Sequence, residues 1–182
     1  MAAVAGPDAV LAFWQEAGPE RWFKADAAFD ALIRERFLAT HEAAARGQFA
    51  SWEKTAKGAL ALVIALDQFP RNLFRGTARA FATDTHARDV AGRAIQRGLD
   101  REFQPPQRNF FHLPYMHSEN LADQERALAY MRAIGDIHGI KYAEIHLDVI
   151  RSFGRFPHRN EALGRSSTPE ETAFLEAGGF RA

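Results

Sequence analysis

The amino-acid sequence predicts an all-helical fold built from antiparallel helix pairs, stacked as a compact bundle or a short superhelix. Three observations predict it. Apolar residues recur at spacings of three and four through most of the chain, the period of a helix face. The breaks in that pattern fall at glycine and proline, which end helices. Strict alternation of apolar and polar residues, the mark of a half-buried strand, is nearly absent.

The first helix is expected to start after Gly6-Pro7, with Asp8 near its cap, and to carry Val10, Leu11, Phe13 and Trp14 before Gly18-Pro19 ends it. A second begins near Asp26, aligns Phe29, Leu32, Ile33, Phe37 and Leu38 on one stripe and runs to Gly47. A third is predicted from about Trp52 to Asp67. Its run Ala59–Leu66 is apolar all round, which places it centrally with neighbours on several sides, and Pro70 is expected to stop it. Asp84 is read as the cap of a fourth helix reaching about Leu99, followed by a loop at Gln104-Pro105-Pro106-Gln107. The aromatic stretch from Asn109 to His117, broken by Pro114, reads as one or two short turns. Helices from about Asn120 to Ile134 and from about Ile140 to Phe153 follow, separated by Gly135 and Gly139. Thr168-Pro169-Glu170-Glu171 gives the last helix a hydroxyl cap, a proline at its first position and a glutamate three residues after the cap.

A length of 182 residues fits one domain, residues 1–182, with one sizeable core. Apolar residues make up 47% and charged residues 25%, the balance of a chain that folds. The 23 Lys and Arg match the 23 Asp and Glu, so no global field draws the protein to nucleic acid or to an anionic membrane. Cysteine is absent, which removes disulfides, thiolate metal sites and a thiol nucleophile and fits a cytoplasmic setting. Residues 1–9 carry neither a basic region nor an apolar one, so no targeting segment is expected there.

Three polar clusters lie beside aromatic helix ends. The first is Asp67, Gln68, Arg71 and Asn72, whose structural interpretation is a helix exit with Asp67 pairing Arg71. The second runs from Phe110 to Glu119 and contains His112, His117 and Glu119, with Ser118 expected to cap the next helix. The third is Arg155, His158, Arg159 and Asn160. The first and third share a phrase, Phe-Pro followed by Arg-Asn, at Phe69–Asn72 and Phe156–Asn160. Of the seven histidines none forms an i, i+4 pair or a His-Glu-x-x-His motif, so no metal is expected. His146 falls on the apolar arc of its helix with Ile150 and Phe153 and should point inward, where burial tunes an imidazole pKa. Asp148 falls on the polar arc. Nucleophile-elbow, Walker, dinucleotide and kinase signatures are all missing.

At these phrases the chain resembles the bacterial family called domain of unknown function 924. The resemblance runs from Val10-Leu11-Ala12-Phe13-Trp14 to Thr168-Pro169-Glu170-Glu171. Its most specific words are Asp67–Asn72, Leu113–Glu119 and Gly154–Asn160. It implies an all-helical fold of the tetratricopeptide-like superfamily, although the pattern of a regular tetratricopeptide repeat does not appear at its usual spacing. It implies no activity, cofactor or catalytic residue.

Two functions compete. One is a small-molecule enzyme or binder for an anionic ligand. It draws acid–base candidates from His117, Glu119, His158 and Asp67, and binding groups from Arg71, Asn72, Arg155, Arg159 and Asn160. The other is a tetratricopeptide-like module that takes a peptide or protein in a groove without catalysis. Neither calls for a cofactor, nucleic acid or a membrane. In the first, the two Phe-Pro phrases bring Arg71 and Arg159 to one cavity, with His117 between them.

Overall fold

The structure, a computed structural model, describes residues 4–180. Helices and turns make up its regular elements, and no strand occurs among the described residues. None of the helices is long and apolar enough to cross a membrane. The chain falls into two compact units, an N-terminal one ending at Pro114 and a C-terminal one starting at Tyr115.

The N-terminal unit opens with α1 (Pro7–Ala17), whose N-cap is Gly6 with Pro7 in the first turn, so Asp8 sits inside the helix. Gly18, at φ 70, ends it in a backbone region that L side chains rarely adopt. The single turn α2 (Pro19–Trp22) follows and sends the Trp22 Nε1–H to the Trp14 carbonyl at 2.6 Å. Helix α3 (Ala27–Ala45) is capped by Asp26, which accepts from the N–H groups of Ala28 and Phe29. It buries Phe29, Ile33 and Phe37, while Leu32 of the predicted stripe is left 40% exposed. Trp14, Phe29, Phe37, Phe69 and Phe110 form a connected aromatic core. Such rings bury large apolar areas and prefer edge or offset contacts.

The predicted central helix is divided. Residues 50–54 form a tight 3₁₀ turn, and α4 (Ala56–Val63) begins at Thr55, whose hydroxyl accepts from the Gly58 N–H. Every residue from Gly58 to Val63 is buried, and α4 packs on α1, on the 3₁₀ turn and on a later helix, α6 (Asp84–Gln96). The all-round apolar pattern is thereby accounted for. Gly58 is required by this contact, because a Cβ there would lie 2.1 Å from the Trp52 carbonyl oxygen. Gly58→Ala is expected to destabilise the protein by about 1–3 kcal/mol through overpacking, outweighing a helix-propensity gain of at most ~1 kcal/mol. A thermal melt of the variant at or above the native midpoint would contradict it.

Pro70 does not stop this helix. The chain widens into a π turn (Ile64–Gln68) and continues as α5 (Phe69–Leu73), with Phe69 N–H donating to the Ile64 carbonyl. Proline lacks the N–H that would serve a carbonyl four or five residues earlier. Side chains serve both: His41 Nδ1 donates to Ala65 O at 2.8 Å, and Thr83 Oγ1 to Leu66 O at 2.5 Å. Thr83 rather than Asp84 is therefore the residue before α6, and Asp84 stands in the helix's first turn.

The short helix α7 (Leu113–Met116) runs through Pro114, and in the C-terminal unit α8 (Leu121–Ile134) and α9 (Ile137–Phe153) pack as a hairpin across Gly135, which is left-handed at φ 68. Gly139 lies inside α9, where the Asp136 carboxylate accepts its N–H, so this glycine breaks nothing. Asn120 caps α8, accepting from Ala122 and Asp123, while the Ser118 hydroxyl donates to the Asp123 carboxylate. Helix α10 (Pro169–Glu176) carries the predicted capping box. Val149, Ile150 and Phe156 form the core here, with Phe153, Phe174 and Phe180 against it.

Candidate functional site

The Phe-Pro echo is not repeated in the backbone. Phe69 is helical and its phrase stays inside a helix, whereas Phe156 is extended and leads into a 3₁₀ turn, Pro157–Arg159. Both phenylalanines are fully buried. In the N-terminal unit Asp67, 0% exposed, accepts from Gln68 Nε2, and Arg71 reaches its carboxylate at 3.3 Å and that of Asp84 at 3.1 Å. Arg71 also donates to the Asp67 carbonyl. Burial works against its charge, but Asp67 and Asp84 more than offset it and raise the Arg71 pKa. Asn72 turns away from this group and donates to Asp30 at 2.7 Å, beside the two-pronged Arg75–Asp30 pair.

The six candidates of the C-terminal unit, His117, Glu119, Arg155, His158, Arg159 and Asn160, gather around Phe156. Two kinds of group meet there. The first is a carboxylate–guanidinium lattice. Glu119 takes Arg165 on both oxygens, at 2.7 and 2.9 Å, and the Phe156 N–H at 2.8 Å. Burial pushes its pKa up, but Arg165, the Phe156 N–H and the charge of Arg159 hold it below the ordinary glutamate value. Arg165 Nε passes to Asn160 Oδ1, and Asn160 Nδ2 passes to Glu171. Glu171 holds Arg155 on both oxygens, at 2.6 and 2.8 Å. The lattice thus closes residues 155–171 onto Glu119. Arg165 and Glu171, absent from the sequence candidates, are its hubs.

The second kind is basic and aromatic. The Arg159 guanidinium carbon lies 4.5 Å from the centre of the Phe156 ring. His158 and His146 rings each approach Phe156 at 5.6 Å, and His117 lies 6.4 Å from His146. His146 is buried, as its place on the apolar arc predicts, and Asp148 is exposed. Its Nδ1 lies 2.7 Å from the Tyr142 carbonyl, which can only accept, so the proton sits on Nδ1 and Nε2 is left as an acceptor. Burial, then the positive charge of His117, Arg159 and His158, drives its pKa down to about 3, against the weaker upward pull of the Tyr142 carbonyl. At neutral pH His146 is therefore an uncharged ring, with the Arg159 guanidinium and the imidazoles of His117 and His158 around it. No group of three His, Asp or Glu among the described residues is arranged to hold a metal ion.

A family model described as "Bacterial protein of unknown function (DUF924)" matches residues 10–179. The chain is also similar to the solved structure of a protein of unknown function from Agrobacterium tumefaciens. The two are 46% identical and superpose with a TM-score of 0.91, over 94% of this chain and 97% of the other. A comparison with curated proteins gives no match.

Proposed function

We propose, for a chain that belongs to the bacterial family of unknown function DUF924, that it binds a small anionic metabolite at the cluster around Phe156 in its C-terminal unit. The observation that carries this is the convergence of Arg159, His117, His158 and His146 on one ring and its neighbours. A guanidinium grouped with imidazoles beside a buried ring is a setting in which an anion can be held by charge-assisted hydrogen bonds. Arg159 offers a planar fork, His117 and His158 single N–H donors, and His146 an orienting acceptor. Arg155, Glu119 and Asn160 act as the frame, since their polar atoms are engaged with Glu171 and Arg165. The same weighing goes against Arg71, whose guanidinium already lies between two carboxylates.

Inorganic phosphate, sulfate and small carboxylates, titrated into the purified protein, are expected to raise its melting temperature. A ligand that binds only the folded state stabilises it by about 2.7 kcal/mol at a hundred times its Kd. Arg159→Ala should abolish the shift, and Arg159→Lys should keep part of it. A shift of equal size in native protein and both variants, or none with any anion, defeats the proposal.

A further inference from the structure

Phe74 lies in the N-terminal unit on an open cleft of about 900 Å³, lined by α3, α5 and the segment that follows. Its apolar floor includes Leu73, Phe74, Ala31 and Ala78, and three arginines, Arg34, Arg75 and Arg79, stand around it with two acids, Asp30 and Glu35. The arginines differ in how they are held. Arg75 is fixed by both oxygens of Asp30. Arg79 stacks on Phe74 at 3.8 Å and reaches Glu42 at 3.3 Å, a pair exposed on both sides and so easily exchanged. Arg34 gives one N–H to the Leu73 carbonyl and lies 6.0 Å from the Phe74 ring centre, and among the described residues no carboxylate is within ion-pair distance of it. Four of its five donors remain for a guest.

We propose that this cleft is a second binding site, separate from the one around Phe156, and that it takes a small carboxylate carrying an apolar body. Three features set that class. Arg75 is paired with Asp30 and Arg79 with Glu42, so Arg34 is the one lining guanidinium with no carboxylate at ion-pair distance among the described residues, which matches a monoanion and not a dianion. Arg34 and Arg79 both approach Phe74, so a carboxylate between them places its hydrocarbon over the exposed Ala31 and Ala78 beside the ring. The planar guanidinium fork accepts a carboxylate on two parallel bonds. Glu35, on the rim, disfavours a second negative charge.

Isothermal titration with hexanoate, with phenylacetate and with the cation hexylammonium tests it on the whole chain. Both carboxylates are expected to bind, and hexylammonium is not. Arg34→Ala and Arg79→Ala should each weaken carboxylate binding about tenfold or more, the effect of losing a charged hydrogen bond. Arg34→Lys, which keeps the charge and a donor toward Leu73, should weaken it less. The titrations are repeated in the Arg159→Ala background, where carboxylates held around Phe156 no longer contribute and the weakening by Arg34→Ala and Arg79→Ala should persist, so failure at one site is distinguishable from failure at the other. Absence of carboxylate binding at millimolar concentration, equal binding of hexylammonium, or binding indifferent to both Arg34 and Arg79 overturns the inference. Circular dichroism of each variant confirms that the helices are kept.

Discussion

Replacing Glu171 by glutamine is expected to cost the protein about 3 kcal/mol of stability, the lower end of the range for breaking a buried ion pair. The Glu171 side chain is 3% exposed and that of its partner Arg155 28%, which places the pair at that lower end. Its two oxygens accept from Arg155 twice, from Asn160 and from the Thr168 N–H, and its own N–H is held by the Thr168 hydroxyl. The Arg155 guanidinium, working against burial and helped by the Thr168 N–H, holds its pKa down to about 2. An amide turns one oxygen into a donor that faces other donors, so the loss exceeds that of a single hydrogen bond. Glu170, the preceding residue, is exposed. Glu170→Gln is therefore expected to change stability by no more than an ordinary surface substitution does. Urea unfolding of the two variants beside native protein makes the comparison. If Glu171→Gln also falls within that margin, the lattice does not hold residues 155–171 in place.

Local physics made much of this legible in the sequence. The capping box at Thr168, the glycine stops at Gly18 and Gly135, and the central position of Ala59–Leu66 all follow from rules that act within a few residues. The errors fall where a distant residue decides. Pro70 reads as a stop because a helix cannot spare its N–H, and what lets the helix continue is His41 and Thr83, 24 and 17 residues from the carbonyls they serve. Gly139 reads as a break, yet it sits in the first turn of α9, where the Asp136 carboxylate takes its N–H. The inward face of His146 follows from helical period alone.

The candidate site divides in the same way. His117, Glu119, Arg155, His158, Arg159 and Asn160 were accessible as polar residues beside aromatic helix ends. Arg165 was not, because its partners Glu119 and Phe156 lie 46 and 9 residues away and no spacing announces them. Glu171 was visible only as a capping residue; its hold on Arg155, 16 residues back, is tertiary. The signal available was indirect: an acid and a base of opposite charge in a segment with too few apolar residues to be held by packing. Arg34, on the cleft, carried no signal, since an arginine on the polar side of an amphipathic helix looks the same with or without a guest.

Between pH 6.5 and 5 the protein is expected to lose about 1.6 kcal/mol of stability to His146 alone. The pKa of this ring falls from an ordinary 6.5 to about 3 on folding. The unfolded chain therefore takes up a proton that the folded chain refuses, and stability rises with pH by about 1.4 kcal/mol per unit wherever that holds. The contribution is complete above pH 6.5, shrinks as pH falls below it, and stops shrinking near pH 3. Glu171, depressed from 4.5 to about 2, gives a stabilisation that is whole above pH 4.5 and is lost as pH falls through 2, so the interval from 6.5 to 5 lies above it. The groups facing His146 are His117, His158 and Arg159, and all three are present both in the native protein and in a variant at position 146. His146→Asn supplies that variant, because the asparagine amide can donate where Nδ1 donates to the Tyr142 carbonyl and does not titrate. Urea unfolding at pH 6.5 and pH 5 should show the native protein losing about 1.6 kcal/mol more than His146→Asn across the interval. Equal losses would mean that His146 charges as readily in the folded protein as in the unfolded chain, and the buried, neutral ring beside Phe156 would have to be given up.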